Sequence, residues 1–374
     1  MTGVPPRDPA PARPWPYPPL TTQIVGSYSK PHWLARHERM GSYDGTWWRP
    51  EPEVLREARE DAALLAILEQ ERAGLDIVTD GEAQRTAYDR HFLGGLSGID
   101  TGQLVVEERV DEVATRTRTT SEAFHAHDEH LRCKPSVIGE IGWVRPVAVA
   151  ELEFLQRHAT RPVKVAIPGP LTLASRLADR FYNDEAAFVT AIAAALNQEL
   201  LALQKAGVDV LQIDEPAFHT SLSIARRIGI GAIERVLDGI VVPVIVHVCY
   251  GYAYAFAEKR ANPDYAEVLE LVASTSATAI SLEYEQPGHE PAILKHCGSK
   301  HVVLGLLDLS TRQAPTPDHV ASRIRAALEV TPPERLLPSS DCGMWFLPRD
   351  AAYAKISALV RGTRRVRRDL GLSD

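Results

Sequence analysis

From Thr21 onward, short runs rich in Val and Ile alternate with longer stretches in which apolar residues recur at helical spacing. A short apolar run bounded by turn residues is the pattern of a strand buried on both faces, and its alternation with helical segments is the pattern of βα units on a parallel sheet. The predicted strands are Thr22 to Gly26, Leu75 to Thr79, Val163 to Ile167, Val208 to Ile213, Val242 to Val246, Ala279 to Leu282, Val302 to Leu306 and Leu336 to Ser339. Helical period predicts Glu53 to Ala73, Asp184 to Ala206, Tyr265 to Ser274, Pro317 to Leu328 and Arg349 to Val366. Eight strands with helical crossovers predict an α/β fold of the (β/α)8 TIM-barrel type, one catalytic domain over residues 21–374. A doubly wound sheet is the alternative, but it calls for GxGxxG after an early strand, and GSYSKP is not that sequence.

Two stretches depart from the pattern. Gly102 to Ile138 is polar and partly alternating, which predicts a β-hairpin insertion between the second and third units. Residues 1–20 contain eight prolines, each lacking a backbone donor, and predict an extended arm that adds little core.

Composition narrows the function classes. The 374 residues carry 41 Lys+Arg and 49 Asp+Glu, a net charge of -8, against a general binder of nucleic acid or anionic membrane. No run approaches 18 uninterrupted apolar residues and the N-terminus lacks a secretory pattern, so a cytoplasmic protein, monomer or homodimer, is expected. Four cysteines, Cys133, Cys249, Cys297 and Cys342, are too few for a disulfide scaffold, so a cysteine with a role is expected to bind metal or do chemistry.

The C-terminal ends of the predicted strands carry Ser27, Asp80-Gly81-Glu82, Asp214-Glu215, His247-Val248-Cys249, Glu283, Asp308 and Asp341-Cys342-Gly343. In a barrel these ends share one face, where the active site is built. Taken singly, each is as readily a helix cap or a turn. HVCYG puts His247 and Cys249 two apart on a strand, hence on one side of it. With Cys342 as a second thiolate and Glu283 as a displaceable carboxylate, the set suits tetrahedral Zn²⁺ with one position open to substrate. Against this, a lone HxC is often a core histidine beside a small apolar filler. Cys133 and Cys297 receive no role.

The ordered motifs TTQIVGSY, DIVTDGEAQR, IPGPLTL, GVDVLQIDEPAF, VHVCYGY, AISLE, GLLDLS and SSDCGM resemble the C-terminal catalytic barrel of cobalamin-independent methionine synthase, especially its short single-barrel relatives, from Thr21 to about Arg368. The resemblance implies zinc held by His247, Cys249, Glu283 and Cys342. It implies an amino-acid thiol held by Ser27, Glu82 and Asp214, with Glu283 and Asp214 as the catalytic pair. Two positions depart from the family. Asp308-Leu309-Ser310 stands where the family has a histidine that helps protonate a leaving folate nitrogen, and Arg176 stands near the place of the tryptophan that stacks on the pteridine.

The expected reaction is zinc-dependent methyl or alkyl transfer to a homocysteine-like thiol, from a small-molecule donor other than methyltetrahydrofolate polyglutamate, such as a methyl group on a corrinoid carrier, a sulfonium or an epoxide. An epoxyalkane:coenzyme M transferase is the competing enzyme. Its sulfonate acceptor would want cations, and Lys30, Arg85 and Arg176 are near enough to keep that open. A uroporphyrinogen-decarboxylase-like or metal-free binding barrel is the alternative of another class. Trp47 and Trp48 are expected to lid the substrate or pack on the barrel top, Tyr250, Tyr252 and Tyr254 to pack beside the metal strand, His289 to cap a helix or face solvent, and Trp345 and Phe346 to shape the donor pocket.

Overall fold

The structure is a computed structural model describing residues 14–37, 40, 45–106, 133–250, 259, 262 and 264–373. Its strands are β1 (Ile99–Val106), β2 (Cys133–Val137), β3 (Lys164–Pro168), β4 (Ala178–Asp179), β5 (Val210–Asp214), β6 (Val244–Val248), β7 (Ala279–Leu282), β8 (His301–Gly305) and β9 (Leu336–Ser339). The longer helices are α1 (Pro52–Ala73), α2 (Val149–His158), α3 (Glu185–Lys205), α4 (Ile230–Leu237), α5 (Asp264–Ala273), α6 (Pro317–Leu328) and α7 (Arg349–Asp369).

Strands β3, β5, β6, β7, β8 and β9 form one parallel sheet in that order. All five residues of β6 (VIVHV) are buried, as expected where helices cover one face and the other faces an interior. The register places Asp214 beside His247 and His247 beside Ser281, so the polar residues of three strands line up at one end. Predicted strands Thr22 to Gly26 and Leu75 to Thr79 join the sheet through separate backbone bonds. Lys164 N donates to Val78 O at 3.0 Å, Asp76 N and Ile77 N both donate to Thr22 O at 3.1 Å, and Gln23 N donates to Pro338 O at 3.1 Å. These bonds lead from β3 through Val78 and Thr22 to β9.

At the other end, Ile77, Val210, Ile245, Ala279, Val303 and Leu337 make a separate apolar layer, against which Trp15 and Tyr17 pack. The tail of the proline-rich arm thus supplies core rather than lying outside it: Leu20 is fully buried, and Leu20 N donates to Pro333 O at 3.3 Å. The arm's first thirteen residues lie outside the described residues.

β1 and β2 pair antiparallel within the predicted insertion, and β2 also pairs with β4 in parallel. Residues 107–132, which connect β1 to β2, lie outside the described residues. α3 is the one described helix long and apolar enough to cross a membrane, yet over half of it is buried inside the protein. Its Asp184 cap accepts from Ala186 N and Ala187 N, and its buried Glu199 accepts from Ala148 N at 2.8 Å and Trp143 Nε1 at 2.9 Å. α3 is built as a core helix, with polar groups satisfied by its neighbours.

Candidate metal centre and acceptor pocket

Cys249 follows β6 directly, and alternation along the strand carries its side chain and that of His247 to the same side. The turn after β9 brings Cys342 to them. The candidate ligand atoms of His247, Cys249 and Cys342 all lie within 4.8 Å of one another, and all three residues are buried. His247 Nδ1 sits 2.9 Å from Ser281 Oγ, and His247 Nε2 is buried with no hydrogen-bond partner among the described residues. Donation from Nδ1–H to the serine leaves the Nε2 lone pair free for a metal, the usual way a second contact fixes a ligating histidine. The Cys342 thiol donates to the Cys249 sulfur, and that contact depresses the Cys249 thiol well below the ordinary range while raising Cys342 well above it. Burial would lower the His247 imidazole most strongly, but the charge and hydrogen bonding of Cys249 together with the charges of Asp214 and Glu283 outweigh it and raise the imidazole. Two thiol sulfurs and an orphaned imidazole nitrogen are a soft to borderline donor set that fits zinc.

Glu283 ends the ISLE run beside this triad without belonging to it. Its Oε1 takes the Lys259 ammonium at 2.6 Å, both groups being buried, while Oε2 is buried without a hydrogen-bond partner among the described residues. Burial lifts its carboxyl to about 8, with Lys259 pulling the other way. Tyr265 OH donates to Val248 O at 2.7 Å and accepts from Glu283 N at 3.2 Å, tying the ends of β6 and β7 together. Sequence reasoning missed Ser281, Lys259 and Tyr265. Only Ser281 left a signal, two residues before Glu283 and so on the same face of its strand.

Ser27, Glu82 and Asp214 are all at the same end of the sheet. Ser27 is buried, and its carbonyl accepts Met344 N at 2.9 Å, joining the GS turn to the DCGM turn. Glu82 is buried, and its Oε1 lies 2.6 Å from where a Cβ on Gly26 would stand, so a side chain at Gly26 would push the Glu82 carboxylate aside. Burial raises the Glu82 carboxyl to about 7 against the Arg85 charge 3.9 Å away, with Asp214 and Asp80 pushing the same way as burial. Burial also raises Asp214, against the His247 charge. Gln212 Nε2 donates to Asp214 Oδ1 at 2.7 Å. The other end of that amide accepts Lys164 Nζ at 2.8 Å, which fixes the amide so that its nitrogen faces the aspartate.

Neighbouring carboxylates with similar sequence settings are braces instead. Glu215 accepts Leu171 N at 2.9 Å, Thr172 N at 2.7 Å and the Thr172 hydroxyl, holding the PGPLT turn. Asp341 accepts Gln286 N at 2.7 Å and Glu285 N at 3.2 Å. Asp308 accepts Ser310 N and Oγ at 2.8 and 2.6 Å within its own turn.

The three cations near the pocket already have partners. Arg85 Nε and Nη2 both donate to Glu151 Oε2, at 3.0 and 2.8 Å. Arg176 pairs with Asp89 at 3.3 Å, and Lys30 Nζ donates to Glu82 O at 2.7 Å.

Among the aromatic residues, the expectation for His289 changes. Trp47 and Trp48 are buried, their rings 3.8 Å apart, and Trp345 is buried near Trp47 at 6.1 Å. His289 is buried rather than solvent-facing: its Nε2 is 3.0 Å from Tyr250 OH, its ring stacks on Tyr265 at 5.2 Å, and burial lowers it to about 4. Tyr252 and Tyr254 lie outside the described residues. Cys133 is half-buried on β2, while burial pushes the Cys297 thiol up to about 12; neither belongs to the triad.

The chain that carries this candidate site is similar to known proteins. The family described as "Cobalamin-independent synthase, Catalytic domain" matches residues 20–365. The methionine synthase of Saccharolobus solfataricus is 30% identical over 354 residues, covering 94% of this chain and 96% of that protein. The methionine synthase of Pyrococcus abyssi is also 30% identical, with 94% of each chain covered. A B12-independent methionine synthase from Shewanella sp. W3-18-1, solved in complex with selenomethionine, is 30% identical with a TM-score of 0.81, covering 94% of this chain and 99% of that one. A methyltransferase from Methanosarcina mazei, 15% identical with a TM-score of 0.57, shares the fold. The chain belongs to the cobalamin-independent methionine synthase family and corresponds to its catalytic domain.

Proposed function

We propose that this protein is a cytoplasmic zinc-dependent methyltransferase that alkylates the sulfur of homocysteine. The parallel sheet, joined through residues 22–26 and 75–79, is read here as a closed (β/α)8 barrel that forms one catalytic unit over residues 21–374. The observation that carries the proposal is the meeting of His247, Cys249 and Cys342 around an orphaned imidazole nitrogen. These three would hold zinc, and Glu283 would supply a fourth donor that an acceptor thiol could replace. When bound, zinc supplies the Lewis acidity that brings an acceptor thiol well below its free pKa of about 8.5, so that sulfur reacts as thiolate at neutral pH.

The protein's own groups do the positioning. Glu82 and Asp214 are both raised by burial, Glu82 further by the Asp214 charge, and an ammonium beside Glu82 would relieve that cost. Ser27 binds the rest of the amino acid. Lys259 keeps a counter-charge beside Glu283 when its carboxylate is released. The relatives named methionine synthase, one of them solved with selenomethionine, support an amino-acid thiol as acceptor. Coenzyme M fits less well, because Lys30, Arg85 and Arg176 are already engaged and a sulfonate would need one of them.

For the donor, Asp308-Leu309-Ser310 stands against the family's D-I-H-S without its proton-donating histidine, with Asp308 spent on its own turn, and Arg176 lies near the place of the folate-stacking tryptophan. This favours a donor that leaves without a proton, such as a methyl group on a corrinoid. Efficient turnover of methyltetrahydrofolate would overturn that choice. The function is tested by metal analysis and by cobalt substitution. Wild-type protein should carry stoichiometric zinc, falling to about a tenth or less in Cys249→Ser or Cys342→Ser. Homocysteine, but not coenzyme M, should change the cobalt spectrum. Full zinc in either variant, or a response to coenzyme M alone, refutes the reading.

A further inference from the structure

Glu82 has φ 53, in the left-handed region, as one of three non-glycine residues with positive φ among the described residues. A residue with a side chain stays in that region only where its surroundings hold it, and such positions cluster at binding sites. Here both ends of the residue are held. Asp80 Oδ1 accepts Glu82 N at 2.9 Å, while Glu82 O accepts Lys30 Nζ at 2.7 Å and Arg85 N at 3.2 Å. The result is a glutamate folded back over Gly26, with its carboxylate 3.9 Å from the Arg85 guanidinium.

Lys30 is unusual in its own right. It is 1% exposed, and its ammonium lies 4.1 Å from the ring centroid of Trp345, 5.5 Å from that of Trp48 and 5.8 Å from that of Trp47. Burying a lysine is costly, and aromatic faces offset part of that cost by attracting the cation. The Trp345 ring belongs to the turn that carries Cys342, and Met344 N of the same turn donates to Ser27 O. The two loop tryptophans, expected from sequence to lid the substrate or pack on the barrel top, and the one after DCG, expected to shape a donor pocket, surround this lysine.

We propose that Lys30 is a positioning residue for the acceptor: held in its tryptophan cage, it clamps the Glu82 carbonyl, keeps Glu82 in the left-handed conformation, and so presents the carboxylate to the amino group of an α-amino thiol. The proposal rests on the reading that Glu82 binds that amino group. Lys30 acts through Glu82 and does not itself contact the acceptor's carboxylate.

The test is calorimetric binding of L-homocysteine and of 4-sulfanylbutanoate, which lacks the amino group, to the zinc-loaded protein. Wild type is compared with Lys30→Met, Glu82→Gln and the double variant, with zinc content and thermal midpoint measured alongside. E82Q should weaken homocysteine about tenfold or more and leave 4-sulfanylbutanoate within about twofold. K30M should weaken homocysteine roughly five- to tenfold with the same selectivity, keep its zinc, and add nothing in the double variant, because both changes remove one contact. If K30M does not fold, Asp80→Ala loosens the amide side of Glu82 and should give the same selective loss. A selective E82Q with K30M weakening both thiols alike, weakening neither, or adding its full loss to that of E82Q overturns the role of Lys30 alone. An E82Q that binds both thiols as wild type does overturns the amino-group reading, and the role of Lys30 falls with it.

Discussion

Lys164 lies under the acceptor pocket, 1% exposed, with its ammonium 2.7 Å from Gln23 Oε1, 2.6 Å from Ile24 O and 2.8 Å from Gln212 Oε1. Burial pulls its pKa from 10.5 down to about 7, with Asp214 and Glu82 opposing. Between those values the unfolded chain holds a proton that the folded one has released, so stability rises with pH across this window and is lowest below it. From about pH 7.5 to about pH 9, one such lysine contributes roughly 2 kcal/mol to that rise. Lys164→Met removes the contribution. It also leaves three acceptors without their donor, but that cost does not tilt with pH. Lys30, lowered to about 7 by burial, gives a parallel rise that remains in both proteins and cancels on comparison. Urea unfolding of zinc-saturated wild type and K164M at the two pH values measures the difference. The wild type should gain about 2 kcal/mol more than the variant on going to the higher pH. Equal gains would show that Lys164 is not a proton-releasing group and refute the argument from burial.

Two further perturbations probe the metal support and the shell of helices. Ser281→Ala deprives His247 Nδ1 of its partner, and zinc affinity measured by chelator competition should fall at least about tenfold with little change in thermal midpoint. Unchanged affinity would mean that the serine does not orient the ligand. Gly362→Ala tests a sign: alanine normally gains about 1 kcal/mol in a helix interior, whereas overpacking costs about 1–3 kcal/mol. A Cβ there would stand 2.6 Å from Val320 Cβ and 2.8 Å from Pro317 O. The backbone oxygen cannot swing aside, so the overlap wins and the thermal midpoint should drop by a few degrees; a rise would show that α6 and α7 separate easily.

Much of the fold was legible because buried parallel strands are written as runs of Val and Ile. Ala279 to Leu282 and Leu336 to Ser339 coincide with β7 and β9, and the other predicted strands of the six-stranded sheet differ by a residue or two at their ends. Thr22 to Gly26 and Leu75 to Thr79 have the same composition but pair through separate bonds rather than regular ladders. α2 and α4 were not among the predicted helices, although α5, as short as α2, was.

Within the site, the pairing of His247 with Cys249 was readable from strand alternation alone, because that geometry is local. The sequence by itself determined the βα order, the supply of polar residues at strand ends and the family to which the chain belongs. Tertiary structure alone decided which acidic groups face the site and which brace turns. Asp214 and Glu215 are neighbours in sequence, yet one is held by Gln212 toward His247 and the other is consumed by three donors of the PGPLT turn. It also decided that Lys259 neutralises Glu283, that three tryptophans enclose Lys30, and that the end of a proline-rich arm fills the far end of the sheet. The physical reason is the same in each case: hydrophobic periodicity records which way a side chain points along its own element, whereas the partner of a buried charge is set by how distant segments pack, and no local pattern encodes that distance.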